Sequence, residues 1–199
     1  TTLSNIGLAS HCLGNYAEAE KYLLQAIEFQ KELQENNPRP YASSLMNLGF
    51  LYTDMGDYDK ALYYVHTGAE ILGKILGEDG HLDYATHLFS LGRINMSKGD
   101  YANAALYGEK ALAIQQKQSQ KHPESVQVLI LLGKTHIMTQ EYKRAQELLS
   151  EAQVMAKQLQ GEQHENYAEA LSLLGLSYQQ TKEYQQAESY YYQYAAPTR

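Results

Sequence analysis

One phrase recurs five times along the 199 residues of this chain: "NIGLASHCLGNYAEAE" at 5–20, "NLGFLYTDMGDYDKAL" at 47–62, "SLGRINMSKGDYANAA" at 90–105, and weaker versions at 131–146 and 173–188. Gly7, Gly49, Gly92, Gly133 and Gly175 are separated by 42, 43, 41 and 42 residues. Tyr16, Tyr58, Tyr101, Tyr142 and Tyr184 keep those intervals, as do Ala19, Ala61, Ala104, Ala145 and Ala187, and Leu3, Leu45, Leu88, Leu129 and Leu171. Four position classes sharing one period define an array of supersecondary units, each of which covers its apolar face only by stacking on its neighbours. An enzyme rarely spells its active site five times.

Within a unit the apolar spacing is helical. Leu45, Leu48 and Tyr52 lie at i, i+3 and i+7, one stripe of a helix, with Gly49 on that stripe allowing another backbone to come close. After "MGDY", Tyr58, Ala61, Leu62, Val65, Ala69 and Leu72 form a second helical period, with small Ala61 and Gly68 where two helices would touch. Gly56 suits the left-handed end of the first helix and Asp57 the N-cap of the second. In the last two units the turn reads "TQEY" and "TKEY", so Gln140 and Lys182 stand in the glycine's place. The links "NNPRPY", "EDGHLDY", "KHPESV" and "EQHENY" carry the Pro, Gly and Asn that interrupt helices. No segment alternates apolar and polar residues over strand length, so the expectation is all-α: ten helices in a right-handed superhelical solenoid of five helix-turn-helix units. The units run approximately over 1–42, 43–85, 86–126, 127–168 and 169–199 as one array.

Composition limits the partners. With 44% hydrophobic and 20% charged residues the chain has the balance of a soluble folded protein. No run approaches the roughly 18 apolar residues of a membrane helix, and the first residues lack a signal-peptide layout, so a cytoplasmic location and no membrane partner are expected. The single Cys12 permits neither an internal disulfide nor a cysteine metal cluster. A net charge of −7 argues against a nucleic-acid surface, which needs clustered Lys and Arg, and in favour of a protein partner.

Leu45-x2-Leu48-Gly49-x2-Tyr52, followed by Ala61 and Val65, resembles the tetratricopeptide repeat, whose usual unit of about 34 residues carries W-x2-L-G-x2-Y and A-x3-F. The longer unit here resembles the kinesin light chain type and bacterial arrays with "GDY" turns, and the likeness covers essentially the whole chain. Ser10, Asn95 and His136 depart from it where the first helix should carry tyrosine, and Gly108 departs from it at a bulky position of the third unit's second helix. Kinesin-light-chain-like repeats line their groove with an asparagine two residues before the repeat glycine. Asn5 and Asn47 match that position, whereas Ser90, Leu131 and Leu173 do not. The Lys/Asn/Arg clamp of chaperone-binding members has no counterpart.

Chemistry is not suggested by the residues. His81, His122 and His164 each precede a repeat glycine by 11 residues, which makes them one loop position repeated rather than a metal set, and no His-x3-His pair exists. No glycine-rich phosphate loop occurs, and no nucleophile, base and oxyanion groups converge, so neither catalysis nor a cofactor is expected within these residues. What remains is the first-helix face opposite the core stripe, at two before, one after and five after the repeat glycine. It reads Asn5, Leu8, Cys12; Asn47, Phe50, Asp54; Ser90, Arg93, Ser97; Leu131, Lys134, Met138; Leu173, Leu176, Gln180, flanked by Met46, Phe89, Met96, Ile130 and Ile137. Water-facing Phe and Met in a contiguous set mark a binding surface, although Ile130, Leu131 and Leu173 are equally suited to packing between repeats. A peptide groove of Asn5, Leu8, Asn47, Phe50, Phe89, Arg93, Met96, Lys134, Met138 and Leu176 would suit an extended or helical protein segment with apolar anchors and a carboxylate.

Two functions follow: an interaction module or scaffold, or the regulatory half of a larger enzyme such as a caspase-like (CHAT) peptidase, which bacterial arrays of this resemblance often precede. The end of the chain, "SYYYQYAAPTR", puts Tyr190, Tyr191 and Tyr194 on one helical face where repeat arrays normally carry a polar cap. With a first helix that begins at Thr1 without a cap segment, this reads as a piece of a longer protein whose tyrosine-rich helix packs on a further helix, another domain or a second chain.

Overall fold

The five repeat tyrosines each open a helix, and the apolar periods that precede them form five more. The computed structural model describes residues 2–33, 36–77, 81–118 and 122–195. Thr1, residues 78–80 and Lys121 of two links, and the tail from 196 lie outside them. The helices are α1 (Thr2–Cys12), α2 (Tyr16–Lys31), α3 (Pro38–Asp54), α4 (Tyr58–Leu76), α5 (Leu82–Lys98), α6 (Tyr101–Gln116), α7 (Pro123–Met138), α8 (Tyr142–Leu159), α9 (Glu165–Gln180) and α10 (Tyr184–Ala195). Among the described residues there is no strand. The first helices of the last four repeats start at Pro38, Leu82, Pro123 and Glu165, ahead of positions 43, 86, 127 and 169, because a proline or a histidine cap sets the first turn upstream of the repeat leucine.

All five turns within repeats share one backbone shape. Gly14, Gly56 and Gly99 take φ of 78°, 79° and 83°, and Gln140 and Lys182 take 63° and 65° in the same place. The residue after each donates its N–H to the carbonyl five residues back: Asn15 to Ser10 at 2.9 Å, Asp57 to Tyr52 at 2.8 Å, Asp100 to Asn95 at 2.9 Å, Glu141 to His136 at 2.8 Å and Glu183 to Tyr178 at 2.9 Å. This is the Schellman closure of a helix C-terminus. Its acceptor is main chain, so the turn tolerates Ser10, Asn95 and His136 at the tyrosine position. Asp57 then caps α4 by accepting the Lys60 N–H at 3.2 Å. His164 does the same for α9, its Nδ1 accepting the Asn166 N–H at 3.2 Å. His81 sits alike before α5, where its single lone pair serves either the Asp83 N–H or the Arg39 guanidinium.

The chain divides into two compact units, Thr1–Asp100 and Tyr101–Arg199. In the first, α1 packs on α2, α3 on α4, α2 on α3 and α4 on α5, while the first helices α1, α3 and α5 also touch in succession. Leu45, Leu48, Tyr52, Val65 and Leu72 are buried there, and a Cβ on Gly49 would press into Val65 Cγ2 and lie 3.1 Å from the Ala61 carbonyl. In the second, α6 packs on α7, α7 on α8, α8 on α9 and α9 on α10, with α7 and α9 also in contact. Ala145, Leu149 and Leu174 centre its core. Gly108 is accounted for here: a Cβ on it would lie 2.8 Å from Leu132 Cδ2, so the missing side chain lets α6 close on α7. Ala61, Ala104 and Ala145 are fully buried, as their small size at a helix contact requires. Among the described residues no helix is long and apolar enough to cross a membrane.

Candidate functional site

The face expected to bind is made by first helices, and each position class behaves differently. One residue after the repeat glycine, Leu8 and Arg93 are exposed and Phe50, Lys134 and Leu176 half-buried; five after it, Cys12, Asp54, Ser97, Met138 and Gln180 are all exposed. Two before it, Asn5 is exposed and Asn47 half-buried, but Ser90 and Leu131 are buried. Ser90 donates to the Thr86 carbonyl at 2.8 Å and touches Met46 Sδ at 3.3 Å. Ile130 joins Leu131 in the core of the second unit, and Leu173 and Ile137 pack on the Ala145–Leu149–Leu174 cluster. These residues are packing between helices, and the candidate surface is narrower than the sequence suggests.

In the first unit two of the candidate residues, Phe50 and Phe89, meet Arg93. Its guanidinium lies over the Phe50 ring, 5.1 Å from the centroid, and near the Phe89 ring at 5.8 Å. Phe50 comes from α3 and Phe89 and Arg93 from α5, two first helices in contact. Such a cation–π arrangement holds the planar head in place while leaving its N–H edge for a ligand. Among the described residues no carboxylate pairs with Arg93, whereas Arg39 pairs with Asp83, Lys60 with Asp57, Lys98 with Asp59, Arg144 with Glu147 and Lys157 with Glu162. Asn47 and Met96 belong to the same two helices, and Asn5 and exposed Leu8 to the neighbouring α1.

In the second unit Lys134 differs from Arg93. It pairs with Glu169 of α9, the first helix of the next repeat. The sequence could not disclose this, because Glu169 lies 35 residues away. Met138 is half exposed at 51% and Leu176 partly buried, on α7 and α9 respectively. Arg93 belongs to the first unit and Lys134 to the second.

Hydrogen bonds that link successive repeats do not stand out in the sequence. Tyr52 of α3 donates to Glu20 of α2, and burial first, then that hydrogen bond, holds its phenol well above the usual tyrosine range. His11 Nε2 meets Asp54 Oδ2 at 2.7 Å, the hydroxyls of Ser4 and Ser44 meet at 2.8 Å, and His87 Nε2 lies 3.1 Å from the Ala42 carbonyl. For the last three, separations of 40 to 45 residues, one repeat, are the signal that points to them; Tyr52 and Glu20, 32 residues apart, fall outside that period.

Comparison with known proteins agrees with this architecture. No curated protein matches the chain. A solved putative kinesin light chain from Podosopora anserina, with nearly identical TPR-like repeats, is similar at a TM-score of 0.81 and 20% identity, over 97% of this chain and 91% of that one. BtubC (BKLC) from P. vanneervenii reaches 0.85 at 20% identity, over 99% and 83%. A signal transduction ATPase with a tetratricopeptide repeat sensor from Pyrococcus horikoshii reaches 0.79 at 20%, over 97% of this chain but 28% of that one. At such identity the likeness is one of fold. The profile of the tetratricopeptide repeat matches residues 1–65, 40–117 and 121–196, which hold all five occurrences of the recurring phrase, and the chain belongs to that family.

Proposed function

We propose that this tetratricopeptide repeat protein is an interaction module that binds a segment of a protein partner along its first helices, with the main anchor at Arg93. The observation that carries the reading is a cation held over two phenylalanine rings on an exposed face, with no carboxylate of its own among the described residues, in an acidic chain that pairs its other described arginines. Phe50 and Phe89 offer apolar contact beside it, and Asn47 has a side-chain amide suited to a peptide backbone. An extended or helical segment with apolar side chains and one carboxylate satisfies all of these groups, the charged contact fixing orientation and the apolar ones supplying affinity. Lys134 contributes less, because Glu169 already neutralises it.

Panning a displayed peptide library against the whole chain, followed by titration of an enriched acidic peptide, tests the reading. Reversing the charge with Arg93→Glu should weaken that peptide at least about tenfold, as expected for the loss of a charge-assisted bond of about 1.5–3 kcal/mol, and should flatten the salt dependence. Lys134→Glu should do less, and Glu109→Lys, on an exposed second-helix site, almost nothing. Equal losses from all three would move the site off the first helices.

A further inference from the structure

His87 is the largest side chain at its place in the repeat, and it stands beside the smallest at another. Five residues before the repeat glycine the chain carries Thr2, Ser44, His87, Val128 and Ala170; ten after the repeat tyrosine it carries Ala26, Gly68, Ala111, Ala152 and Tyr194. The imidazole is buried, only 3% exposed, and it fills the room that Gly68 leaves. A Cβ on Gly68 would lie 3.0 Å from the ring's Cδ2 and 3.1 Å from its Nε2. The alanine found at 26, 111 and 152 would therefore crowd the ring, and the glycine at 68 admits it.

This seat joins three helices. His87 belongs to α5 and Gly68 to α4; Nδ1 lies 2.9 Å from the Asp83 carbonyl of α5, and Nε2 lies 3.1 Å from the Ala42 carbonyl of α3. A carbonyl only accepts, so the ring is the donor, and a proton on Nε2 ties α5 to α3. Two further links between these helices are weaker in kind. Ser90 Oγ meets Met46 Sδ at 3.3 Å, and sulfur is a poor acceptor. Arg39 pairs with Asp83 at the exposed surface, where solvent screens the charges.

The same two helices carry the two halves of the Arg93 platform. Arg93 stands six residues beyond His87, about 9 Å of helix rise, and Phe50 eight beyond Ala42, about 12 Å. Phe89 travels with Arg93 on α5, so that contact does not depend on how α5 sits against α3. The Phe50 contact does depend on it. At 5.1 Å from the centroid it lies within about 1 Å of the roughly 6 Å reach of a cation–π contact.

We infer that His87 is a positioning residue: seated in the gap at Gly68 and bonded to the Ala42 carbonyl, it fixes α5 against α3 so that the Arg93 guanidinium lies over Phe50. A satisfied buried hydrogen bond sets one arrangement where apolar packing alone would let the helices shift. The consequence for binding rests on the reading of Arg93 as the partner's anchor. The consequence for geometry does not.

Arginine side-chain NMR on the whole 199-residue chain tests the placement without any partner, because protons held over a ring face are shifted upfield by its ring current. The chain has four arginines, and Arg93→Lys identifies the signal. Phe50→Leu should move the Arg93 δ-protons downfield and set the scale. His87→Val, which fills the seat as Val128 does in a later repeat but cannot donate, should move them the same way by a large share of that change. His87→Gln, whose amide N–H can stand where Nε2–H stood, should leave them near their native position. An Arg93 signal that His87→Val leaves in place, or that His87→Gln displaces as far, overturns the inference. Titration with the enriched acidic peptide then carries the test to binding. His87→Val should weaken it about threefold or more, His87→Gln much less, and in an Arg93→Gln background His87→Val should add nothing. Losses that add overturn the inference, because His87 would then act on the peptide without Arg93. If the Arg93 signal follows His87 as expected while Arg93→Gln leaves the peptide's affinity unchanged, the positioning role stands and the anchoring role of Arg93 falls.

Discussion

Gly49 shows how one missing side chain holds a repeat together. A Cβ there would press on Val65 Cγ2 and on the Ala61 carbonyl, a stiff β-branched side chain and a helix backbone. Overpacking of this kind costs about 1–3 kcal/mol, more than the gain of up to about 1 kcal/mol from placing Ala in a helix, so Gly49→Ala should lower the melting temperature. At Gly175 the obstacle is the ring of half-buried Tyr191, whose hydroxyl donates to Gln179 at 3.0 Å on the exposed surface, a bond that water can replace if the ring shifts, so Gly175→Ala should cost less than Gly49→Ala. Two thermal melts decide whether rigid or movable neighbours set the cost. Tyr52 supports a second residue-scale prediction. Its phenol is harder to ionise folded than unfolded, so the folded chain holds the proton to higher pH, and stability is complete below the ordinary tyrosine pKa of about 10 and falls as pH rises above it. Denaturant titrations from neutral to alkaline pH should show Tyr52→Phe losing about 1 kcal/mol at neutral pH and declining less steeply above pH 10 than the parent.

At the level of the helix and its turn, the left-handed position rewards glycine in proportion to the strain it relieves. Gln140 and Lys182 adopt the shape of Gly14, Gly56 and Gly99, although an L side chain there costs about 1–2 kcal/mol. Lys182→Gly removes that cost and adds back about 0.4–1 kcal/mol of unfolded-state entropy. It should therefore stabilise the chain by up to about 1 kcal/mol, a melting rise of about 2–4 °C at this size, while Gly56→Ala should shift the midpoint the other way. A fall in the midpoint for Lys182→Gly would mean that its side chain supplies something the turn needs. These elements were legible because helix spacing and turn position repeat five times, so "TQEY" and "TKEY" inherit their meaning from "GDY". Gly108 was not legible in the same way, since its partner Leu132 lies on the following repeat's first helix. The site was legible only in part: Phe50, Phe89 and Arg93 stand on the outward positions, but periodicity alone does not distinguish an open groove wall from the buried Ser90 and Leu131, or a free cation from Lys134 held by Glu169.

Across the molecule, contacts run between helices adjacent in sequence and between successive first helices, each within its own compact unit. Stability in such an array is close to a sum of repeat terms and nearest-neighbour contacts, so damage stays local rather than felling the whole chain at once. Gly49→Ala strains the α3–α4 pair, whose other partners are α2, α5 and α1. Native-state hydrogen exchange on that variant should therefore show protection falling most in α3 and α4, less in α1, α2 and α5, and hardly at all in α8 and α9, whose buried Leu149 and Leu174 touch none of those helices. Uniform loss of protection through all ten helices would show instead that the chain unfolds as a single cooperative body, and the nearest-neighbour account of its stability would fail.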